Sequence, residues 1–274
     1  MKNLVPRFVL LSFVLAGLFS VSANAQDEYK EEYNKALEAQ KAKNYTLAYT
    51  HYEKAAQMAS AAGDESIAQK SHVMCAKLAK VNGTAQYKAE DYAGALATFE
   101  AGIAHEPKYM PNLYMKGLTQ KAMGNTDEAL GTFLAETKGS DNKTGRTAAK
   151  AIRSHFGAQA SAIVSKENIS GAEADQALAL LDELQTKYEQ TPDANSLFYR
   201  GLALKAKADY ASCVNVMDSA VDIHRGGNTD KAKLFFTKGE CLMMAGDNDA
   251  AKIAFGKAKF GSYAKPAQHF IETL

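Results

Sequence analysis

Tryptophan is absent from this chain, proline occurs five times and cysteine three times. Alternating runs of β-branched residues, the mark of half-buried strands, are nearly missing as well. That scarcity excludes a sandwich or barrel. Three cysteines are too few for a disulfide framework, and an odd number leaves at least one unpaired. Charge of one sign is also lacking, since the formal net charge is +1. A general nucleic-acid binder shows a concentrated basic excess, so no nucleic-acid partner is expected. Apolar content of 46% is ordinary for a folded protein and excludes a disordered chain.

The signatures of chemistry are missing too. No His-Glu-x-x-His, Gly-x-Ser-x-Gly or phosphate-cradling Gly-Lys-Ser/Thr motif occurs. Gly256-Lys257 is followed by Ala258 and no glycine precedes it at the needed distance; Asp141-Asn142-Lys143 lacks the spaced acids of a calcium loop. His51, His105 and His224 fall on or at the ends of expected second helices, where a histidine is ordinarily a surface or helix-end residue. The expectation is a protein that is not an enzyme, with no cofactor and no metal site.

At the N-terminus, Lys2 and Arg7 precede an apolar stretch from Phe8 to Val21, and Ala23-Asn24-Ala25 offers a small-x-small site. This reads as a signal peptide over residues 1–25, cleaved after Ala25. The stretch is shorter than the roughly 20 residues of a spanning helix. The expected mature chain, residues 26–274, has no integral membrane segment and is periplasmic or secreted.

What is present is a pattern that returns. Gly83, Ala95 and Phe99 share their spacing with Gly117, Ala129 and Phe133, with Gly201, Cys213 and Met217, with Gly239, Ala251 and Phe255, and with Ala36, Ala48 and Tyr52. Repetition of this kind means stacked helix pairs. Helix-forming Ala, Leu, Lys, Glu, Gln and Met dominate between the repeats. The pattern predicts pairs over 27–43 and 45–61, 65–89 and 92–105, 110–123 and 126–137, then 194–208 and 210–223, and 230–245 and 248–259. A fourth, irregular pair lies over 146–166 and 171–190. A last short helix covers 266–274, and residues 138–144 read as loop. Cys213 takes a small buried position, and Cys241 lies in the next first helix. Packing can bring the two together as a disulfide; three buried thiols acting as small hydrophobes is the alternative.

These residues resemble the tetratricopeptide repeat. The spacing from Gly83 to Gly117 is 34 residues, Pro107 stands where that family places its proline, Gly124 and Gly246 occupy turns, and Tyr92 and Tyr210 open second helices. The resemblance implies an all-α, right-handed α-solenoid of stacked antiparallel helix pairs, five to six pairs and about 12–13 helices. Glycine or alanine would let the helices approach, and the aromatic would fill the wedge between neighbouring pairs. The uneven spacing and the poor fourth unit imply a change of curvature between residues 138 and 171.

In that family the first helices line a concave face. Carried over residue by residue, the face-lining positions are Tyr33, Lys80, Tyr114, Phe198 and Phe236 before the small residue, and Gln40, Tyr87, Lys88, Lys121, Lys205, Met243 and Met244 after it. Aromatics with interspersed lysines suit a peptide with apolar anchors and acidic groups. The apolar doublets Leu113-Tyr114, Leu197-Phe198 and Phe235-Phe236 also serve as core. A carboxylate clamp is not implied, because Thr84 stands where that clamp needs Asn. The function implied is a protein- or peptide-binding scaffold of the cell envelope. The alternatives are a structural subunit of an envelope or secretion assembly and an envelope glycan-binding accessory protein.

Overall fold

The structure, a computed structural model, describes residues 28–139 and 143–274. The expected leader and its cleavage point lie outside them. Among the described residues there are thirteen α-helices, one 3₁₀ turn (Gly261–Tyr263) and no strand. No described helix is long and apolar enough to cross a membrane.

The chain divides into two compact units, one ending at Ala148 and one from Ala149 to Leu274. The first holds α1 (28–41), α2 (Tyr45–Ala61), α3 (Glu65–Lys88), α4 (Tyr92–His105), α5 (Met110–Ala122) and α6 (Thr126–Gly139). The division falls inside α7 (Lys143–Val164). The second continues with α8 (Gly171–Thr186), α9 (Ala194–Ala206), α10 (Tyr210–Ile223), α11 (Asn228–Met244), α12 (Asn248–Lys257) and α13 (Ala264–Thr273). The polar stretch expected as loop over 138–144 is helical at both edges, since α6 runs to Gly139 and α7 starts at Lys143.

Within each unit, consecutive helices pack on one another, and alternate first helices also touch: α3 with α5, and α9 with α11. The reason is the repeated small residue. A Cβ built on Gly83 would stand 2.6 Å from the Phe99 ring, one on Gly117 2.6 Å from Phe133, and one on Gly239 2.7 Å from Phe255. At Gly201 the Met217 methyl occupies the same space. Each second helix thus presses a large side chain onto a bare patch of its own first helix. The aromatic fills space inside its own pair, and Phe255 also stacks on Phe270 of α13 with ring centroids 4.8 Å apart. Phe99, Phe133, Met217 and Phe255 are all buried.

A second close approach joins successive pairs. Asn112, buried at the start of α5, donates from Nδ2 to the Ala76 carbonyl of α3 at 2.9 Å. Its amide occupies the space over Gly102 of α4, where any Cβ would collide with it.

The turns inside the pairs share one construction. Lys43, Glu90, Gly124, Ala208 and Gly246 all adopt positive φ, from 57° at Ala208 to 87° at the glycines. Each is followed by Asn or Asp, whose N–H closes back onto the preceding helix: Asp91 to the Gln86 carbonyl and Asp209 to the Leu204 carbonyl, both at 3.0 Å. At Asn44, Asp91, Asp209 and Asp247 the same side chain then caps the next helix, as when Asp209 Oδ1 accepts the Ser212 N–H at 3.2 Å. One residue thus closes one helix and opens another. Only glycine occupies the left-handed region without a Cβ penalty.

Cys213 of α10 and Cys241 of α11 are joined, with an S–S distance of 2.08 Å across a sequence separation of 28, and Cys75 is a buried free thiol. The bond ties one pair to the next.

Two substitutions test this packing. Gly117→Ala forces a methyl into the Phe133 ring and should cost about 1–3 kcal/mol, as overpacked cores do. Ala208→Gly relieves a left-handed alanine and should add about 0.5–1 kcal/mol after the entropy of the unfolded glycine is counted. Urea unfolding midpoints should move in opposite directions for the two variants.

Candidate functional site

The first-helix positions divide by what they touch. Tyr33, Tyr114 and Phe236 each stand three residues before the small residue and lean on their own pair's packing aromatic. Ring centroids are 5.3 Å apart for Tyr33 and Tyr52, 5.8 Å for Tyr114 and Phe133, and 5.4 Å for Phe236 and Phe255. All three are half-buried, so each buttresses the core with one face and leaves the other for a neighbour.

In the first unit that neighbour is solvent or another half-buried group. Tyr33 borders a depression of about 480 Å³ shared with Lys70, Val73, Met74 and Lys77 of α3. Tyr114 has Tyr87 beside it; burial first and Tyr87 second raise the Tyr114 phenol above its ordinary value. Tyr87 also meets Tyr92 edge-on at 5.4 Å. Lys80 is half-buried and Lys88 and Lys121 are exposed, and none has an ion-pair partner among the described residues. Lys116 of the same helix as Lys121 is held by Glu100 at 2.8 Å. Gln40 is turned inward, accepting the Tyr52 hydroxyl at 3.0 Å.

In the second unit most of these positions have internal partners. Lys205 pairs with Glu240 at 2.7 Å, linking α9 to α11. Phe198 carries the Lys233 ammonium 4.7 Å above its ring, and that ammonium donates to Asn195 Oδ1 at 3.0 Å. Phe236 is enclosed further by Tyr263 at 5.2 Å and Phe270 at 5.9 Å, so the chain's last helix covers it. Met243 packs against the same terminal cluster, and Met244 beside it is exposed. The first-helix positions with open groups are therefore those of α3 and α5, which carry Lys80, Lys88 and Lys121 and the adjoining Tyr87 and Tyr114.

Two arrangements go beyond what the sequence pattern predicts. The first is a trough of about 780 Å³ between α7 and α9. Its signal is present in α7, which has small residues at four-residue spacing and no acid, but the helix lacks the registered small residue that marks the other first helices. The second is a polar cluster between α2, α3 and α4. His72 Nδ1 and His105 Nδ1 lie 2.9 Å apart, so one must donate to the other. His105 Nε2 reaches Tyr49 Oη at 3.0 Å and Glu53 Oε1 at 3.5 Å. Burial first, and His72 second, hold His105 below its ordinary 6.5 against the opposing pull of Glu53. Burial raises the nearby Cys75 thiol to about 12, which leaves it an unreactive packing group. The described residues contain no group of three or more His, Cys, Asp or Glu arranged to hold a metal ion.

No protein-family model and no curated protein matches the chain. Among solved structures it is similar to residues 41 to the end of MamA from Desulfovibrio magneticus RS-1, at 17% identity and TM-score 0.36, covering 71% of this chain and 97% of that one. It is similar to a tetratricopeptide repeat protein from Parabacteroides merdae at 12% and TM-score 0.32, covering 90% and 98%. A third is a thermophilic tetratricopeptide protein of Thermus thermophilus, at 12% and TM-score 0.31, covering 89% and 97%. The likeness is one of helix-pair repeat and goes no further.

The histidine pair makes a pH prediction. A histidine held below 6.5 when folded regains its ordinary affinity for protons when unfolded, so the unfolded state binds more protons as pH drops below 6.5. Stability should be full above that pH and fall as pH is lowered toward about 5, before most carboxylates titrate. His105→Gln, which has no such proton, should flatten that slope in urea unfolding between those values; parallel slopes would assign the effect elsewhere.

Proposed function

We propose that the chain is an exported, non-enzymatic scaffold of tetratricopeptide type, working in the cell envelope or periplasm and holding a protein or peptide partner on the first-helix face of its repeats. The observation that carries this is the pair of helices α3 and α5, on which Lys80, Lys88 and Lys121 stand without acidic partners among the described residues and the phenols of Tyr87 and Tyr114 adjoin. Tyrosines offer rigid contact area with a polar tip at small entropic cost. Unpaired lysines attract and orient an acidic segment and make cation–π contacts. Such a face favours a peptide with an apolar anchor flanked by Asp or Glu. Export is supported by the leader-like start and by the Cys213–Cys241 bond, since disulfides persist in oxidising compartments. No reaction, cofactor, metal or nucleic acid enters the reading.

The lysines make a cleaner test than the aromatics, because Tyr114 also supports Phe133. Lys80→Glu/Lys121→Glu should keep the wild-type circular dichroism spectrum and lose the partners that the wild type captures from an envelope extract. Retention of every partner by the folded double variant overturns the assignment of this face. Intact mass of the protein recovered from the cell should show a chain beginning at Gln26 with one disulfide; a chain still beginning at Met1 overturns export.

A further inference from the structure

Successive second helices leave a groove between them, floored by the first helix that joins them, and the two units line it differently. In the first unit α2 and α4 flank α3. That groove, of about 470 Å³, has no charged side chain in its lining. Its polar groups are satisfied internally: Gln86 Oε1 accepts the Thr98 hydroxyl at 2.7 Å, and Asn82 Nδ2 donates to the Tyr45 carbonyl at 3.3 Å. In the second unit α10 and α12 flank α11, around a groove of about 360 Å³. Its apolar lining is Val214 and Val221 from α10, Phe235 and Leu242 from α11, and Ile253 from α12. Ile253 is 63% exposed, more than any other large apolar side chain among the described residues. Single exposed apolar residues are ordinary, but one that protrudes beside an apolar hollow marks a contact surface.

The two walls of this groove carry opposite charge. Helix α10 contributes Asp218 and Asp222, and α12 contributes Lys257. Asp218 is already paired with Lys238 of the floor. Asp222 is exposed and has no hydrogen-bond or ion-pair partner among the described residues. Lys257 has no acidic partner there either; its ammonium lies 5.6 Å from the centroid of the Phe235 ring. Short connections join α10 to α11 and α11 to α12, so α10 and α12 run in the same direction. Asp222 and Lys257 are the lining residues nearest the C-terminal ends of their helices. They therefore stand at the same end of the groove, on opposite walls. The wall and the floor are also tied covalently, because the Cys213–Cys241 bond joins the residues that immediately precede Val214 and Leu242.

We propose that the α10–α12 groove docks a second copy of this chain, through a two-fold axis that runs along the groove. Such an axis exchanges the two walls and keeps each end in place. Each α12 then lies over α10 of the other copy. Ile253 enters the other copy's apolar hollow, and Lys257 meets the other copy's Asp222, so both contacts are made twice. An apolar centre with charges at the edge is the ordinary anatomy of an interface. An unrelated partner would have to bring an acid for Lys257 and a base for Asp222 at a matching separation; a second copy brings both. The α2–α4 groove has neither a charge nor a protruding side chain to offer. This inference is independent of the partner-binding role given to α3 and α5.

The test is sedimentation velocity of the protein recovered from the cell, from about 1 to 100 μM, where an interface of modest size is read. A monomer–dimer equilibrium should appear. Ile253→Glu should weaken it at least about tenfold, because a charge replaces the apolar anchor. Asp222→Lys and Lys257→Asp should each weaken it at least about fivefold, because each sets like charges against one another at both contacts. All three side chains are exposed, so circular dichroism should stay unchanged. The double variant Asp222→Lys/Lys257→Asp should dimerise again. So should an equimolar mixture of the two single variants, since opposite charges then meet at both contacts; recovery in the mixture is the signature of the two-fold arrangement. Lys80→Glu/Lys121→Glu should leave the equilibrium intact. A chain that stays monomeric over the whole range, a dimer indifferent to Ile253→Glu, or single charge variants that fail to complement each other overturns the proposal. A dimer lost only in the Lys80/Lys121 variant also overturns it, and assigns self-association to α3 and α5 instead.

Discussion

The packing of both units depends on a missing side chain. At Gly83, Gly117, Gly201 and Gly239, a single methyl group would overlap the large residue brought in by the second helix sixteen positions later. The glycine costs helix propensity, about 1 kcal/mol against alanine. In return it lets a whole Phe or Met side chain be buried, worth roughly 1.5–3 kcal/mol each. The contact also fixes the rotation of the first helix about its axis. Once the glycine faces inward, the residue three positions earlier lies at the rim of the same contact. That is why Tyr33, Tyr114 and Phe236 all rest on their pair's aromatic, at centroid distances between 5.3 and 5.8 Å. Where Met217 replaces the aromatic, Phe198 has no such ring beneath it and meets Tyr199 and Lys233. A rim aromatic in this architecture is half core by construction.

The turns apply a second constraint of the same kind. The left-handed residue always stands seven positions after the small one, and the Asn or Asp eight positions after. Glycine suits the seventh place, yet Lys43, Glu90 and Ala208 occupy it with φ near 60°. The Asx residue that follows makes this tolerable, because its N–H and its side chain hold both helix ends at once. The geometry is set by where the hydrogen bonds must go, and residue preference gives way.

Local rules of this kind are legible in a sequence, and they carry most of the helix limits. Tyr92–His105 and Tyr210–Ile223 begin one residue after an aspartate cap and stand as the pattern predicts. The stretch over 138–144 reads as loop, yet is helical at its edges, because its polar residues are equally at home on a solvated helix. Side-chain destinations are less legible. Phe236 and Tyr114 occupy the same repeat position, but only Phe236 is covered, because α13 and its 3₁₀ turn return over it. Nothing near residue 236 encodes that return. Likewise His72 and His105 stand 33 residues apart, and their contact exists only once α3 and α4 are packed. The α7 trough is hidden for a related reason. Small residues in register mark the other first helices, whereas α7 lacks that register and splits its small residues, with Ala148 and Ala160 buried and Ser154, Ala158 and Ala162 exposed.

The two units solve the same stacking problem with different chemistry, and the difference bears on where partners can act. Three residues after the registered glycine, the first unit has Gln86 and Gln120, which accept hydrogen bonds from Thr98 and Thr132 at 2.7 Å. The second has Leu204 and Leu242 at that place, packed into apolar clusters. Several of its lysines are also engaged, Lys205 with Glu240, Lys207 with Asp175 and Lys238 with Asp218, and a disulfide joins α10 to α11. Exposed pairs contribute little singly, about 0–1 kcal/mol. Their larger effect is to cancel the field that a ligand would otherwise feel. Charge left uncancelled is then informative: Lys80, Lys88 and Lys121 on α3 and α5, and Lys150 beside the α7 trough. A repeat fold keeps its packing residues nearly constant, so the places where charge is left open are where one repeat can be told from the next by a partner.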